Sequence, residues 1–298
     1  MTEFMKEGWA PSPLTGVNPH PSIPFTKIRR EKLSKQYPGS RLIFPSGSLK
    51  IRSNDSDYPF RAHSAYSWFT GIVASDCVPD SLFVMEPNGA GHDALLFIHP
   101  RSPRNNDEFY KNARHGEFWI GRRMTLEETE TKYALKVVQI ESIEEFLANK
   151  KETLIIRGED KKLDQLVTES EEKEKEFLNF TSLMRIVKDQ YEIDEMQKAI
   201  DASVRGFADM VRVFPAATSV ARGERVIESA FYGRARLEGN ENGYPSIVAS
   251  GAHACVLHWI KNDGDVLPGD LILIDAGVEV ESHYTADITR TFPVNGKF

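Results

Sequence analysis

The sequence of 298 residues has few cysteines, no long apolar run and no excess of positive charge. Its two cysteines, Cys77 and Cys255, are too few for a disulfide framework and lack the spacing of a structural zinc site, so we expect both to be reduced and buried. The longest apolar runs, such as residues 94–98, are too short for a transmembrane helix. Charged residues near the N-terminus argue against a signal peptide. The formal net charge of -7 argues against a nucleic-acid-binding surface. These absences predict a cytoplasmic protein with no membrane or nucleic-acid partner.

Proline is concentrated in the first 25 residues, which show little periodicity. This composition predicts an extended N-terminal arm over residues 1–27. Beyond it, short apolar segments bounded by turn residues predict strands at 41–44, 81–86, 93–99 and 152–156, and amphipathic spacing predicts helices at 28–37 and 141–149. Strands that alternate with helices indicate an α/β domain, which we assign to residues 28–176. We place its end after an all-polar run, residues 169–176.

A second domain is predicted over residues 177–298. Apolar residues recur there at spacings of three and four, which predicts one helix with a core-facing stripe: Ile193, Met196, Ile200, Val204, Phe207, Val211 and Phe214. A second helix is predicted from Gly223 to Leu237, and Gly239, Gly243 and Pro245 then break the pattern before a run of strands. This domain therefore opens with two helices followed by a sheet.

Two aspartates in this second domain are candidates for metal binding. A continuous apolar run at 271–274 ends in Asp275, and leaving a buried carboxylate unpaired is costly. Asp287 lies in the next predicted strand, and a hairpin through 281–284 can bring both carboxylates to one face. Two adjacent carboxylates repel each other unless a cation lies between them, and such oxygen ligands favour hard or borderline divalent ions.

The same residues also allow a purely structural interpretation. Asp275 can cap a turn with Gly277, and Asp287 can pair with the nearby Arg290. Because Asp-Ala-Gly is a common turn signal, spacing alone favours this interpretation.

A longer sequence pattern adds evidence about function that the spacing of the two aspartates does not provide. The segments 247–251 (IVASG), 257–258 (LH), 269–277 (GDLILIDAG) and 286–298 (ADITRTFPVNGKF) occur in the order and form that resemble the aminopeptidase P branch of the prolidase, or pita-bread, metallopeptidases. Residues 52–61 (RSNDSDYPFR), with 63–64 and 69–71, similarly resemble the N-terminal domain of those enzymes. The resemblance implies an α/β N-terminal domain followed by the first half of an α+β pita-bread catalytic domain. It also implies a hydrolase that releases the first residue of peptides with proline in second position.

The resemblance implies roles for three residues. Asp275 is similar to the carboxylate that chelates one of two divalent ions, Mn²⁺ by preference, and Asp287 is similar to the one that bridges both. His258 is similar to the histidine that hydrogen-bonds substrate or the tetrahedral intermediate, whereas His253 and His283 match no family role. The family completes its site with a histidine and two glutamates that lie beyond position 298, so we expect the isolated chain to be inactive. Dimers or tetramers are usual among such enzymes, so a homo-oligomer is expected.

Two other functions remain open. A prolidase restricted to dipeptides belongs to the same superfamily, although the N-terminal arm and the segment at 57–61 disfavour it. A non-catalytic binding or scaffold protein on the same fold is the other. Retention of Asp275 and Asp287 counts against it, whereas the expected truncation counts for it.

Overall fold

The computed structural model describes residues 2–167 and 171–297. The chain forms two compact units, Met1–Val187 and Lys188–Phe298. This division lies C-terminal to residue 176, where composition alone ended the first domain. Phe177 is fully buried in the core of the first unit, which is why the helix that carries it belongs there. Two residues of the polar run, 169 and 170, lie outside the described residues.

The first unit is built on a mixed sheet. Its helices are α1 (Thr2–Lys6), α2 (Ile23–Gln36), α3 (Ser64–Thr70), α4 (Asp107–Lys111), α5 (Glu117–Ile120), α6 (Leu126–Tyr133), α7 (Ile143–Ala148), α8 (Lys161–Leu166) and α9 (Glu171–Met184). Its strands are β1 (Arg41–Pro45), β2 (Ile51–Ser53), β3 (Ser56–Asp57), β4 (Leu82–Pro87), β5 (His92–Ile98), β6 (Lys136–Gln139) and β7 (Thr153–Ile155). Five strands form one sheet in the order β6-β5-β4-β1-β7, and β2 pairs with β3. The four predicted strands and the α/β class are thus confirmed.

Helices cover both faces of this sheet. Successive side chains of its strands point to opposite sides, so each strand contributes to two cores. On β1, Leu42 and Phe44 join a core that includes Phe177 of α9, and Ile43 joins a second core that includes Leu163 of α8. The segment predicted as an extended arm contains α1 and the start of α2. Between these helices, the carbonyl oxygen of Ala10 accepts a hydrogen bond from Arg104 of the same unit.

The second unit packs helices against antiparallel strands. Its elements are α10 (Gln190–Arg212), α11 (Phe214–Ala217), α12 (Gly223–Glu238), β8 (Glu241–Asn242), β9 (Ile247–Ser250), β10 (Leu271–Ala276), β11 (Val278–Glu279) and β12 (Ile288–Pro293). Three strands form a sheet in the order β12-β10-β9, and β11 pairs with β8. The predicted order of helices followed by strands is confirmed, although there are three helices where two were predicted. Cys77 is buried as expected, but Cys255 is exposed, so that prediction was wrong. Among the described residues, no helix combines the length and apolar character needed to cross a membrane.

The predicted core stripe of α10 is wrong in part. Phe207 is buried, as is Phe214, which begins α11 rather than extending α10. Ile193, Ile200, Val204 and Val211 are exposed. The helix instead buries a face of small residues that includes Ala199, Ala202, Ser203 and Gly206. Small side chains permit the close approach of α12, and apolar periodicity does not detect such a face.

Gly206 provides a test of this close packing. A Cβ added at Gly206 lies 2.6 Å from ring atoms of Phe231 on α12, which is fully buried. We expect Gly206→Ala to lower the free energy of unfolding by about 1–2 kcal/mol, since overpacking outweighs the gain in helix propensity. Gly233→Ala on α12 is the matched control, because a Cβ there has no atom within 4 Å. It should raise stability by up to about 1 kcal/mol. Urea unfolding of both variants measures the difference, and equal effects would contradict the packing argument.

Candidate functional site

Strand register places the two candidate aspartates on one face of the second sheet. β10 pairs antiparallel with β12, and Asp275 lies directly opposite Thr289. Asp287 precedes Thr289 by two residues, just before β12 begins, so the alternation of side chains directs both to the same side. Asp275 is half-buried, whereas Asp287 is exposed.

The two carboxylates meet at a single hydroxyl group. Tyr244, between β8 and β9, donates to Oδ1 of Asp275 at 2.6 Å and lies 3.2 Å from Oδ1 of Asp287. Thr289 Oγ1 donates to the other oxygen of Asp275 at 2.5 Å. The Arg290 guanidinium donates to the carbonyl oxygen of Thr289. Asp275 thus lies within a strand rather than capping a turn, and the described contacts of Arg290 do not include an ion pair with Asp287.

Tyr244 remains a donor in this arrangement. Burial raises the pKa of its phenol well above the ordinary value, and the hydrogen bond to Asp275 and the charge of Asp287 raise it further. The hydroxyl therefore stays protonated between the two carboxylates. Sequence reasoning missed this residue because the Tyr-Pro pair looks like an ordinary break before a strand.

Position 277, which follows Asp275 and Ala276, must be glycine for a steric reason. A Cβ added at Gly277 would lie 1.6 Å from the carbonyl oxygen of Ala286, the residue that precedes Asp287. The backbones of the two segments therefore approach more closely than any side chain allows. This close approach helps to bring Asp275 and Asp287 to one place.

His258 lies on the loop between β9 and β10 and is exposed. Within the described part of the chain, no hydrogen bond joins its ring to either aspartate. The next residue, Trp259, is held: its indole donates to Glu224 at 2.8 Å, and its ring stacks on His253 with centroids 3.8 Å apart. His253 therefore has a structural place, as expected for a histidine without a family role. Glu224, which is fully buried on α12, was not predicted, because no sequence pattern marks it.

The two carboxylates supply oxygen ligands, which are the ligand atoms that hard divalent ions prefer. Carboxylate oxygens of Asp275 and Asp287 both lie within hydrogen-bond distance of the Tyr244 hydroxyl. Over residues 2–167 and 171–297, no group of three or more His, Cys, Asp or Glu side chains is arranged to hold a metal ion.

Both halves of the chain match known families. Residues 26–156 match the N-terminal domain of aminopeptidase P, and residues 194–298 match metallopeptidase family M24. The M24 match contains His258, Asp275 and Asp287.

The similar proteins agree with these matches. The chain is 43% identical to Xaa-Pro aminopeptidase 1 of Streptomyces coelicolor and 45% identical to Xaa-Pro aminopeptidase 2 of the same organism, in both cases over all of this chain. It spans 60% and 63% of the lengths of these two relatives. Among solved structures, it resembles the low-pH form of aminopeptidase P from E. coli with a TM-score of 0.74 and 27% identity, over 92% of this chain and 62% of that one. It also resembles the zinc-substituted E. coli enzyme in complex with product, with a TM-score of 0.75 and 26% identity over 94% of this chain and 64% of that one.

Proposed function

Because this chain belongs to the aminopeptidase P family of metallopeptidases, we propose that it supplies two metal-binding carboxylates to a peptidase. The proposed enzyme releases the first residue of peptides that have proline in second position. The observation that carries this proposal is the convergence of Asp275 and Asp287 on the Tyr244 hydroxyl, within a segment that matches family M24.

These residues fit divalent ions. We assign Asp275 to one ion and Asp287 to a bridging position between two, with Mn²⁺ as the preferred metal. Bound there, such ions supply Lewis-acid activation of a water molecule and of the peptide carbonyl group. Further ligands would be needed to complete this site, because the described residues hold no group of three or more His, Cys, Asp or Glu side chains that could bind a metal ion.

The other residues of the site support the carboxylates or face the substrate. Thr289 and Tyr244 donate to opposite oxygens of Asp275, which fixes the orientation of that carboxylate. His258 is exposed, so its imidazole is accessible to a peptide and can donate a hydrogen bond to a peptide oxygen. A bond to proline lacks an N–H group and has a fixed φ, so a dedicated pocket is required to bind it. The cytoplasmic location and the dimer or tetramer remain predictions.

The proposal is tested with the protein extended to the full length of its relatives. We expect release of the first residue from a Xaa-Pro-Xaa tripeptide, dependent on added Mn²⁺, and far slower cleavage of the matched Xaa-Ala-Xaa peptide. The 298-residue chain, assayed in parallel, should release no amino acid, because its described residues hold no group of three or more side chains that could bind a metal ion. Cleavage of a Xaa-Pro dipeptide alone would instead indicate a prolidase, and no hydrolysis by the extended protein would refute the proposal.

A further inference from the structure

One buried carboxylate fastens the loop that carries His258. Glu224 lies in the first turn of α12, and its side chain is completely buried. The backbone amide of Ser250 donates to its Oε1, and the amide of Gly264 donates to its Oε2, each at 2.8 Å. These two amides mark the two ends of the segment 250–264, so Glu224 binds both ends of the loop.

The middle of the loop is held by the same carboxylate. The Trp259 indole N–H donates to Oε2 at 2.8 Å, and Nδ1 of His253 lies 2.9 Å from Oε1. The two rings stack at an interplanar angle of 22°. The residue that follows His258 is therefore fixed both by its N–H group and by one face of its ring.

This arrangement requires a carboxylate and not merely a polar side chain. Two backbone amides and an indole N–H can only donate hydrogen bonds, and together they donate to both oxygens of Glu224. A carboxamide offers one acceptor oxygen and would turn its own N–H₂ group toward donors at the other. Buried donors left without an acceptor are costly, so the loop would move to satisfy them elsewhere.

We propose that Glu224 is a positioning residue, which fixes the backbone that carries His258 through Trp259 and the loop 250–264. The importance of His258 for catalysis rests on the proposed function. The hold of Glu224 on the loop does not depend on it.

The test is Glu224→Gln in the 298-residue chain, observed by NMR. We expect the Trp259 indole proton to exchange with solvent about tenfold faster or more, and the ring resonances of His258 to shift and broaden. Glu228→Gln is the matched control on the same helix, one turn later. Glu228 accepts from Asn262 Nδ2 at 2.8 Å, and a glutamine oxygen can accept the same bond. This control should leave both signals as in the wild type.

A second variant covers the case in which Glu224→Gln does not fold. Trp259→Phe removes one donor and keeps an aromatic ring beside His253, and it should also shift the His258 resonances. Unchanged His258 resonances in a folded Glu224→Gln chain, or in Trp259→Phe where the first variant is unfolded, would overturn the inference.

In the extended protein, Glu224→Gln should lower kcat by about tenfold or more with little change in KM, since His258 acts on the reacting group. Absence of peptidase activity in the extended wild type would refute the proposed function and leave the NMR result for the loop standing. Wild-type NMR signals in Glu224→Gln would refute the inference and leave the proposed function intact.

Discussion

Asparagine in place of Asp275 or Asp287 is expected to lower kcat/KM for a Xaa-Pro peptide by about a thousandfold or more in the protein extended to the length of its relatives. Activation by bound ions is worth several kcal/mol of transition-state stabilisation, and each 1.36 kcal/mol is a factor of ten. Asparagine has the shape of aspartate but no charge, so the loss would report on the ions rather than on packing. Steady-state kinetics with added Mn²⁺ measure it.

The proposed metal assignment also predicts how the two variants differ. If Asp287 binds both ions and Asp275 binds one, as proposed, Asp287→Asn should lose more bound metal than Asp275→Asn when metal content is measured after dialysis. Asp263→Asn is the matched control, because Asp263 is an exposed acidic residue on the neighbouring loop. Activity of both site variants near that of the control would contradict the metal assignment.

Stability should move in the opposite direction from activity. Without metal, two carboxylates that share the Tyr244 hydroxyl repel each other. Asp287→Asn removes that repulsion, and the asparagine amide N–H can donate to the Tyr244 oxygen, whose own proton goes to Asp275. The metal-free variant should therefore be at least as stable as the wild type, as expected where a site is kept for function rather than for stability.

The site was only partly predictable from the sequence. The apolar run before Asp275 correctly predicted a strand with this carboxylate near its end, but Asp287, predicted to lie in the next strand, precedes β12 by one residue. Tyr244 and Glu224 were not found, because each is set by contacts between segments that are distant in the chain. The spacing of hydrophobic residues does not indicate which polar side chains form hydrogen bonds with each other.

The helices show the same limit. The position of α10 followed from its periodicity, but its buried face did not, since that helix is apolar on two sides. The choice between the faces depends on the close approach of α12 at Gly206, where Phe231 leaves no room for a Cβ. Strand positions in the first unit were easier to predict, because both faces of the sheet are covered and continuous apolar runs then mark the strands.

The largest stability effect in the first unit is expected at a buried ion pair. Arg41 begins β1 and is almost completely buried, and its guanidinium binds both oxygens of Glu86 on β4, at 2.6 and 3.1 Å. Lys151 adds a contact to Glu86 at 2.7 Å. Glu86→Gln leaves the Arg41 charge buried without a counter-ion, which should lower the free energy of unfolding by about 3 kcal/mol or more. Urea unfolding, followed by hydrogen exchange of the β1 and β4 amides, measures this loss.

A control separates this pair from ion pairs in general. Glu144 pairs with Lys162 at the surface, where the two side chains are 60% and 71% exposed. Glu144→Gln should change the unfolding midpoint little, because solvent screens exposed pairs. Equal losses in the two variants would show that burial of Arg41 is not the cause.

The pH dependence of the same pair provides an independent check. Burial acts to raise the pKa of Glu86, but hydrogen bonds from Arg41 and Lys151 outweigh it, so the pKa lies below its ordinary value. A carboxylate with a lowered pKa contributes stability that is fully present above its unfolded-state pKa, about 4.3, and is lost as the pH falls through the folded-state pKa. The difference in unfolding free energy between the wild type and Glu86→Gln should therefore be constant near neutral pH and shrink in acid. A difference that stays the same down to the acid limit of folding would mean that the charge of Glu86 contributes nothing to the stability of the pair.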